Sequence, residues 1–226
     1  MNENMNKICK TFNQSLGRNN RNFQKEMDRL IEKNQREGVV PTLFLHSCCA
    51  PCSSYVLEYL SQYFKITVYY YNPNIYPPEE YEERTMEVER LIRELPAEHP
   101  ISFAAGEYRP ELFYKAVKGH ETDPEGGERC GICFALRLEE AARLAKEGNF
   151  DYFTTTLTIS PLKDAARLNQ IGEEMGAKYG VAYLNSDFKK KNGYKRSTEL
   201  SKEYNLYRQD YCGCVFSMRE REKGNK

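Results

Sequence analysis

Tryptophan is absent from this chain of 226 residues, histidine occurs three times, and neither sign of charge prevails: 33 lysines and arginines face 33 aspartates and glutamates. Balanced charge excludes a global field that would draw the chain to nucleic acid, so any such contact must use a local patch. No apolar run approaches the ~20 residues of a bilayer-spanning helix. The first residues, MNENMNKICKTFNQ, are polar and lack the apolar stretch of a secretion signal, so a cytoplasmic protein with no membrane partner is expected. Phosphate-cradling loops are missing as well. Neither GxxxxGK before Ser or Thr nor GxGxxG occurs, and a nucleotide cofactor is not indicated.

What the chain does hold is cysteine, eight in all, of which seven fall into three clusters: Cys48-Cys49-x-x-Cys52, Cys130-x-x-Cys133 and Cys212-x-Cys214. A reducing compartment argues against a static disulfide framework. Thiols this close therefore point to metal ligation or reversible dithiol chemistry, since thiolate is the soft ligand that zinc and iron–sulfur clusters select. The clusters stand about 80 residues apart, and a zinc ribbon closes its site over a few dozen. These groups can meet only when a whole domain folds around them. Cys9, alone near the N-terminus, reads as incidental. Tyrosine is abundant, at 17 residues, and suits either a cleft with stacking surfaces or a core.

Periodicity predicts alternating elements. Residues 1–21 read as a mobile tail, and 22–226 as one α/β domain. Phe23, Met27, Leu30 and Ile31 recur at helical spacing and predict a capping helix over 22–37. Strands are expected at 42–47, 65–71, 101–105, 151–157 and 181–184. Helices are expected from Ser53 or Ser54 as a cap, over 79–95 and 108–118, from Cys130 to a stop at Gly148, and from Pro161 through Gly180. The rhythm gives an open, mostly parallel, Rossmann-like α/β sheet of about five strands flanked by helices, with a helical N-terminal extension. Residues 186–226 form a basic and CxC segment. No internal repeat is visible. Chemistry in such sheets sits beyond the carboxyl ends of the strands, where Cys48, Cys49, the 154–156 threonines and Ser160 are placed.

Cys130 and Cys133 are one helical turn apart at a helix start, where the dipole is expected to favour thiolate. Cys48 and Cys49 are adjacent, which only an irregular loop can turn to one side. The two pairs together supply the four thiolates of a 4Fe–4S cluster; a structural zinc site with four cysteine ligands is the alternative. Cys52 reads as a further ligand, a ligand to a second metal, or a small buried hydrophobe. Two thiols separated by one glycine, Cys212 and Cys214, can close a strained and redox-labile disulfide or serve as two more metal ligands. His46 reads as a core residue or one that supports a ligand, His120 as a solvated loop residue, and His99 carries no argument. Lys189, Lys190, Lys191, Lys195, Arg196 and Lys202, interleaved with Tyr194 and Tyr204, suit a nucleic-acid backbone with one base on a ring, or an ordinary solvated helix face.

Six blocks in one order carry a resemblance: LFLHSCCAPCSSYV, YNPNIYP, ERCGICFALRLEEAA, FTTTLTISPLKD, DFKKKNGYKRS and YRQDYCGCVFS. Over Asn22 to Ser217 the sequence resembles the QueH-type epoxyqueuosine reductases. The resemblance implies reduction of the epoxide of epoxyqueuosine in a tRNA anticodon to queuosine, the last step of queuosine synthesis, without cobalamin. It implies a 4Fe–4S cluster on Cys48, Cys49, Cys130 and Cys133 and a redox-active disulfide between Cys212 and Cys214. It also implies an additional mononuclear iron near the cluster, for which Cys52 is a candidate neighbour. Asp210 and Tyr211 become candidate proton donors, Arg208 and Gln209 candidate substrate contacts, and Lys189, Lys190, Lys191, Lys195, Arg196 and Arg208 candidate tRNA contacts. An unidentified electron donor is implied. A zinc-stabilised RNA-binding module and a general thiol–disulfide oxidoreductase are the competing functions.

Overall fold

The computed structural model describes residues 21–224. Cys9 and the expected mobile tail, residue 21 apart, lie outside them. Five strands pair in parallel in the order β3-β2-β1-β4-β5: β1 Thr42–Ser47, β2 Lys65–Tyr70, β3 Ile101–Ala105, β4 Tyr152–Thr155 and β5 Ala182–Tyr183. Eight helices among the described residues surround them. They are α1 Phe23–Glu37, α2 Ala50–Leu60, α3 Pro78–Glu94, α4 Pro110–Ala116, α5 Glu128–Glu147, α6 Ala165–Tyr179, α7 Gly193–Glu203 and α8 Val215–Gly224. None of the helices is long and apolar enough to cross a membrane.

The alternation of side chains along β1 builds both cores. Leu43 and Leu45 join Ile66 and Val68 of β2 against Val56, Leu57 and Leu60 of α2 and Val88 and Leu91 of α3, with Met27 and Ile31 of α1 closing the edge. Phe44, on the other face, meets Tyr69 and Phe153 and packs under α5 and α6. There Ala141, Ala142 and Ala145 present small side chains, so α6 brings Leu168, Ile171 and Met175 in closely.

Two helix starts differ from the expected ones by about a turn. The second helix begins at Ala50 with Pro51 in its first turn and Cys49 as the cap residue, rather than at Ser53 or Ser54. Ser53 instead turns its hydroxyl back onto the Cys49 carbonyl at 2.8 Å. Pro suits the first turn because its missing N–H would have no partner there. Likewise α6 starts after Asp164, whose carboxylate accepts from the N–H groups of Ala166 and Arg167, and Pro161 stays in the preceding turn. A capping carboxylate outcompetes a proline three residues earlier because it satisfies two free donors. The fourth expected strand stops short at Thr155, and residues 156–159 tighten into a 3-10 turn.

The sheet reverses its winding between β1 and β4, so the chain leaves both carboxyl ends beside an open crevice. Gly172 of α6 faces β5, and a Cβ there would lie 2.3 Å from the Tyr183 ring. Gly172→Ala, which would stabilise an exposed helix by about 1 kcal/mol, is expected here to destabilise by about 1–3 kcal/mol through overpacking. The midpoint of urea unfolding at an unchanged slope reads this directly.

Candidate metal and redox site

A cavity of about 360 Å3 opens at the crevice, lined by Cys48, Cys49, Cys52 and Cys212 together with Arg84, Arg137, Lys163 and Tyr194. Cys48 and Cys49 follow β1 directly, and their sulfurs lie 3.8 Å apart. The two-residue break between strand and helix turns neighbouring side chains to the same side, as a regular strand could not. Cys52, in the first turn of α2, completes a triad of sulfurs within 4.8 Å of one another. Among the described residues this is the group of His, Cys, Asp or Glu close enough to hold a metal ion. Thr156, at the end of β4, steadies Cys48 from across the crevice: its hydroxyl lies 3.3 Å from the Cys48 amide and 3.5 Å from the sulfur. Cys49 and Cys52 hydrogen-bond to the Cys48 sulfur and hold its pKa well below the ordinary thiol value, aided by Lys163. The same bonds raise Cys49 and Cys52.

Cys130 and Cys133 line a small adjoining cavity with Cys212 and Cys214, and Arg137 and Cys212 border both spaces. The dipole expectation for this pair fails. Burial pushes the Cys133 thiol up to about 12 and raises Cys130 as well, although the Gly126 amide donates to the Cys130 sulfur at 3.2 Å. Helix α5 begins at Glu128, so Cys133 stands in its second turn, and desolvation outweighs a dipole that fades within one turn. The loop before α5 is largely exposed and is braced by its own contacts. His120 pairs with Asp123 at 2.9 Å, Asp123 accepts from the Arg129 amide, and the buried Arg129 guanidinium reaches Glu220 of α8.

Cys212, Gly213 and Cys214 are held by the YNPNIYP loop. The Tyr76 amide donates to the Gly213 carbonyl at 2.8 Å, and the Tyr211 hydroxyl donates to the Tyr76 carbonyl at 2.6 Å. The same loop contributes Asn72, whose side chain donates to the Ser47 carbonyl and accepts from Arg137. Both cysteines are thiols in the structure. Asp210 lines the main cavity and pairs with Arg221; Gln209 and Arg208 line it too, with Arg208 donating to Ser201 at 3.0 Å. Of the expected tRNA contacts, Lys189 donates to the carbonyls of Thr158 and Lys163, Lys191 pairs with Asp28, and Arg196 pairs with Glu58. Lys190 and Lys195 are exposed.

Sequence reasoning missed the cations around the sulfurs. Arg137 is buried, donates to the Cys133 carbonyl and to Asn72, and leaves Nη2 without a hydrogen-bond partner. Its spacing of four from Cys133, on a helix face otherwise of alanine and leucine, was the available signal. Burial works against its charge, but the sulfurs of Cys133, Cys212, Cys48 and Cys130 outweigh it and hold the pKa above the ordinary value. Lys163 is held charged in the same way by Cys212, Cys48 and Cys52. Arg84, also buried, pairs with Glu80 and lies over the Tyr211 ring at 5.3 Å. A buried guanidinium with no carboxylate partner is costly unless anionic sulfur answers it. The donor set therefore suits a negatively charged thiolate–metal centre.

Gly213 adopts φ +115°, and a Cβ there would meet Arg84 Nη1 at 3.0 Å. Gly213→Ala is expected to cost about 1–3 kcal/mol in backbone strain and to speed alkylation of Cys212. Unfolding midpoints and the rate of thiol labelling measure the two effects.

The family described as "Epoxyqueuosine reductase QueH" matches residues 43–220. Proteins of that name in Streptococcus pyogenes serotype M1 and Staphylococcus epidermidis are 43% and 44% identical over 198 and 214 residues. These alignments cover 87% and 93% of this chain and 78% and 88% of the relatives. The relative of that name in Thermotoga maritima is 36% identical over 188 residues, or 80% of this chain and 93% of its own. All three cysteine clusters fall inside the matched span, and the chain belongs to the QueH family of epoxyqueuosine reductases.

Proposed function

We propose that this chain reduces the epoxide of epoxyqueuosine in tRNA to queuosine. The observation that carries the reading is the cavity at the switch point, where Cys48, Cys49, Cys52 and Cys212 share one space in a chain of the QueH family. Removing the oxygen of an epoxide to leave an alkene takes two electrons and two protons and releases one water. Two thiols closing to a disulfide supply that count, so oxidation of Cys212 and Cys214 balances one turnover. An external reductant, the electron donor, then reopens the pair.

Cys48, Cys49, Cys130 and Cys133 would hold a 4Fe–4S cluster, with Cys52 beside a further iron; bound there, the metals would supply one-electron transfer and a Lewis acid for the epoxide oxygen. The fit rests on the sulfur triad and on Arg137, whose unpartnered Nη2 and missing carboxylate call for negative charge between the two cysteine pairs. Arg137, Arg84 and Lys163 stabilise that charge. Asn72 fixes Arg137, and Thr156 fixes Cys48. Both candidate proton carriers line the cavity and both are engaged, the Tyr211 hydroxyl by the Tyr76 carbonyl and the Asp210 carboxylate by Arg221. Arg208, Lys190 and Lys195 are the exposed cations left to meet phosphate.

Metal analysis after anaerobic purification tests the centre. Cys48→Ser and Cys130→Ser are expected to lose most of the iron together with the broad absorption near ~400 nm. Cys212→Ser and Cys214→Ser should keep the iron and lose turnover. Stoichiometric zinc in a colourless wild-type protein would instead favour a structural RNA-binding module. In cells lacking the protein, tRNA nucleosides should accumulate epoxyqueuosine that disappears on complementation. Unchanged queuosine would remove the proposed reaction.

A further inference from the structure

The main cavity, at about 360 Å3, is at the small end for a ligand site. It has room for one nucleoside and none for the loop that carries it. A nucleoside that enters must leave its stack, and the nucleotides on either side must remain on the rim.

That rim carries two apolar groups on rigid supports. Leu162 is 81% exposed and Tyr194 is 42% exposed, and both line the mouth. Leu162 lies in the turn between the 3-10 helix and α6. Its amide donates to the Ser160 hydroxyl, and Lys189 anchors the turn through the carbonyls of Thr158 and Lys163. Tyr194 stands in the first turn of α7, whose Gly193 backbone packs on Tyr55 of α2, and its carbonyl is engaged by Ser197 and Thr198. The side chains stay in water while the backbones beneath them are tied down. A single exposed leucine needs no explanation, but an exposed leucine and tyrosine at the mouth of the catalytic cavity do. Cations stand beside them: Lys195 is the next residue to Tyr194, and the exposed Arg208 lines the same cavity.

We propose that Leu162 and Tyr194 grip the unpaired nucleotides flanking the modified one. Tyr194 offers its ring as a stacking face for one neighbouring base, and Leu162 fills the gap that the extruded nucleoside leaves in the stack. Lys195 and Arg208 meet the phosphates between. The inference rests on the RNA-substrate reading above, and it assigns the rim, not the chemistry.

Binding of an RNA anticodon stem-loop with 2-aminopurine on either side of the target nucleotide tests it, with the metal-loaded protein. Stacking quenches the probe. Wild type should bind and quench on one side. Tyr194→Ala should weaken binding roughly 5- to 150-fold and abolish that quenching, Tyr194→Phe should retain both, and Leu162→Ala should weaken binding with quenching altered next to the gap. Val39→Ala, also solvent-facing but just before β1, at the amino ends of the strands and away from the crevice, should change neither. Wild-type affinity and quenching in Tyr194→Ala and Leu162→Ala would overturn the proposal, as would a wild type that does not bind the RNA. A wild type that binds and quenches as expected but reduces nothing would remove the proposed reaction and leave the rim assignment standing.

Discussion

The imidazole of His46 is fully buried between the carboxyl ends of three strands. One nitrogen lies 2.9 Å from the Thr155 hydroxyl that ends β4, the other 3.1 Å from the Tyr71 carbonyl just beyond β2. Only an N–H can satisfy that carbonyl, so Nε2 carries the proton and Nδ1 accepts from threonine. Burial, with Arg137 second, lowers the pKa to about 3 and keeps the ring neutral, as this two-way bridge requires. From the three ends it joins hang Cys48 and Cys49 after β1, Asn72 after β2, and Thr156 after β4. The sheet reverses at this place, so its strand ends diverge just beyond the bridge and leave the cavity open.

Charge organises the space above the bridge. Arg84, Arg137 and Lys163 stand among the sulfurs; Glu80 is the carboxylate partner of Arg84, whereas Arg137 and Lys163 face sulfur. Cysteines buried as deeply as Cys133 resist ionisation on their own, whereas a coordinated metal removes the proton outright. The cations and the buried thiols thus each lack a counterpart that a thiolate–metal centre provides. The CxC turn stands at the meeting of the two cavities, with Cys212 facing both. It is fastened to the β2 loop by the Tyr76 amide and the Tyr211 hydroxyl, and the buried Cys214 sulfur accepts from the Ser217 amide at 3.4 Å.

Much of this was legible in sequence for identifiable reasons. Strand β1 is a short apolar run and β2 a run of β-branched and aromatic residues, and the α1 face repeats at helical spacing, so their elements emerged with the expected types. Helix starts were harder. A proline inside a first turn and a capping aspartate look alike from one sequence, and the outcome depended on which donors the tertiary structure left unsatisfied. In the basic stretch the sequence does not show that Lys189, Lys191 and Arg196 each meet a partner from another segment.

By itself the sequence determined the parallel α/β class, the three thiol clusters and the family, because periodicity, cysteine spacing and six ordered blocks are all one-dimensional signals. The tertiary structure alone decided how those clusters are shared out. It set Cys52 with Cys48 and Cys49, put Cys130 and Cys133 in a common space with Cys212 and Cys214, and sank Arg137 between the two groups. The distance between side chains some 80 residues apart is set by strand order and helix packing, and no spacing rule along the chain encodes either.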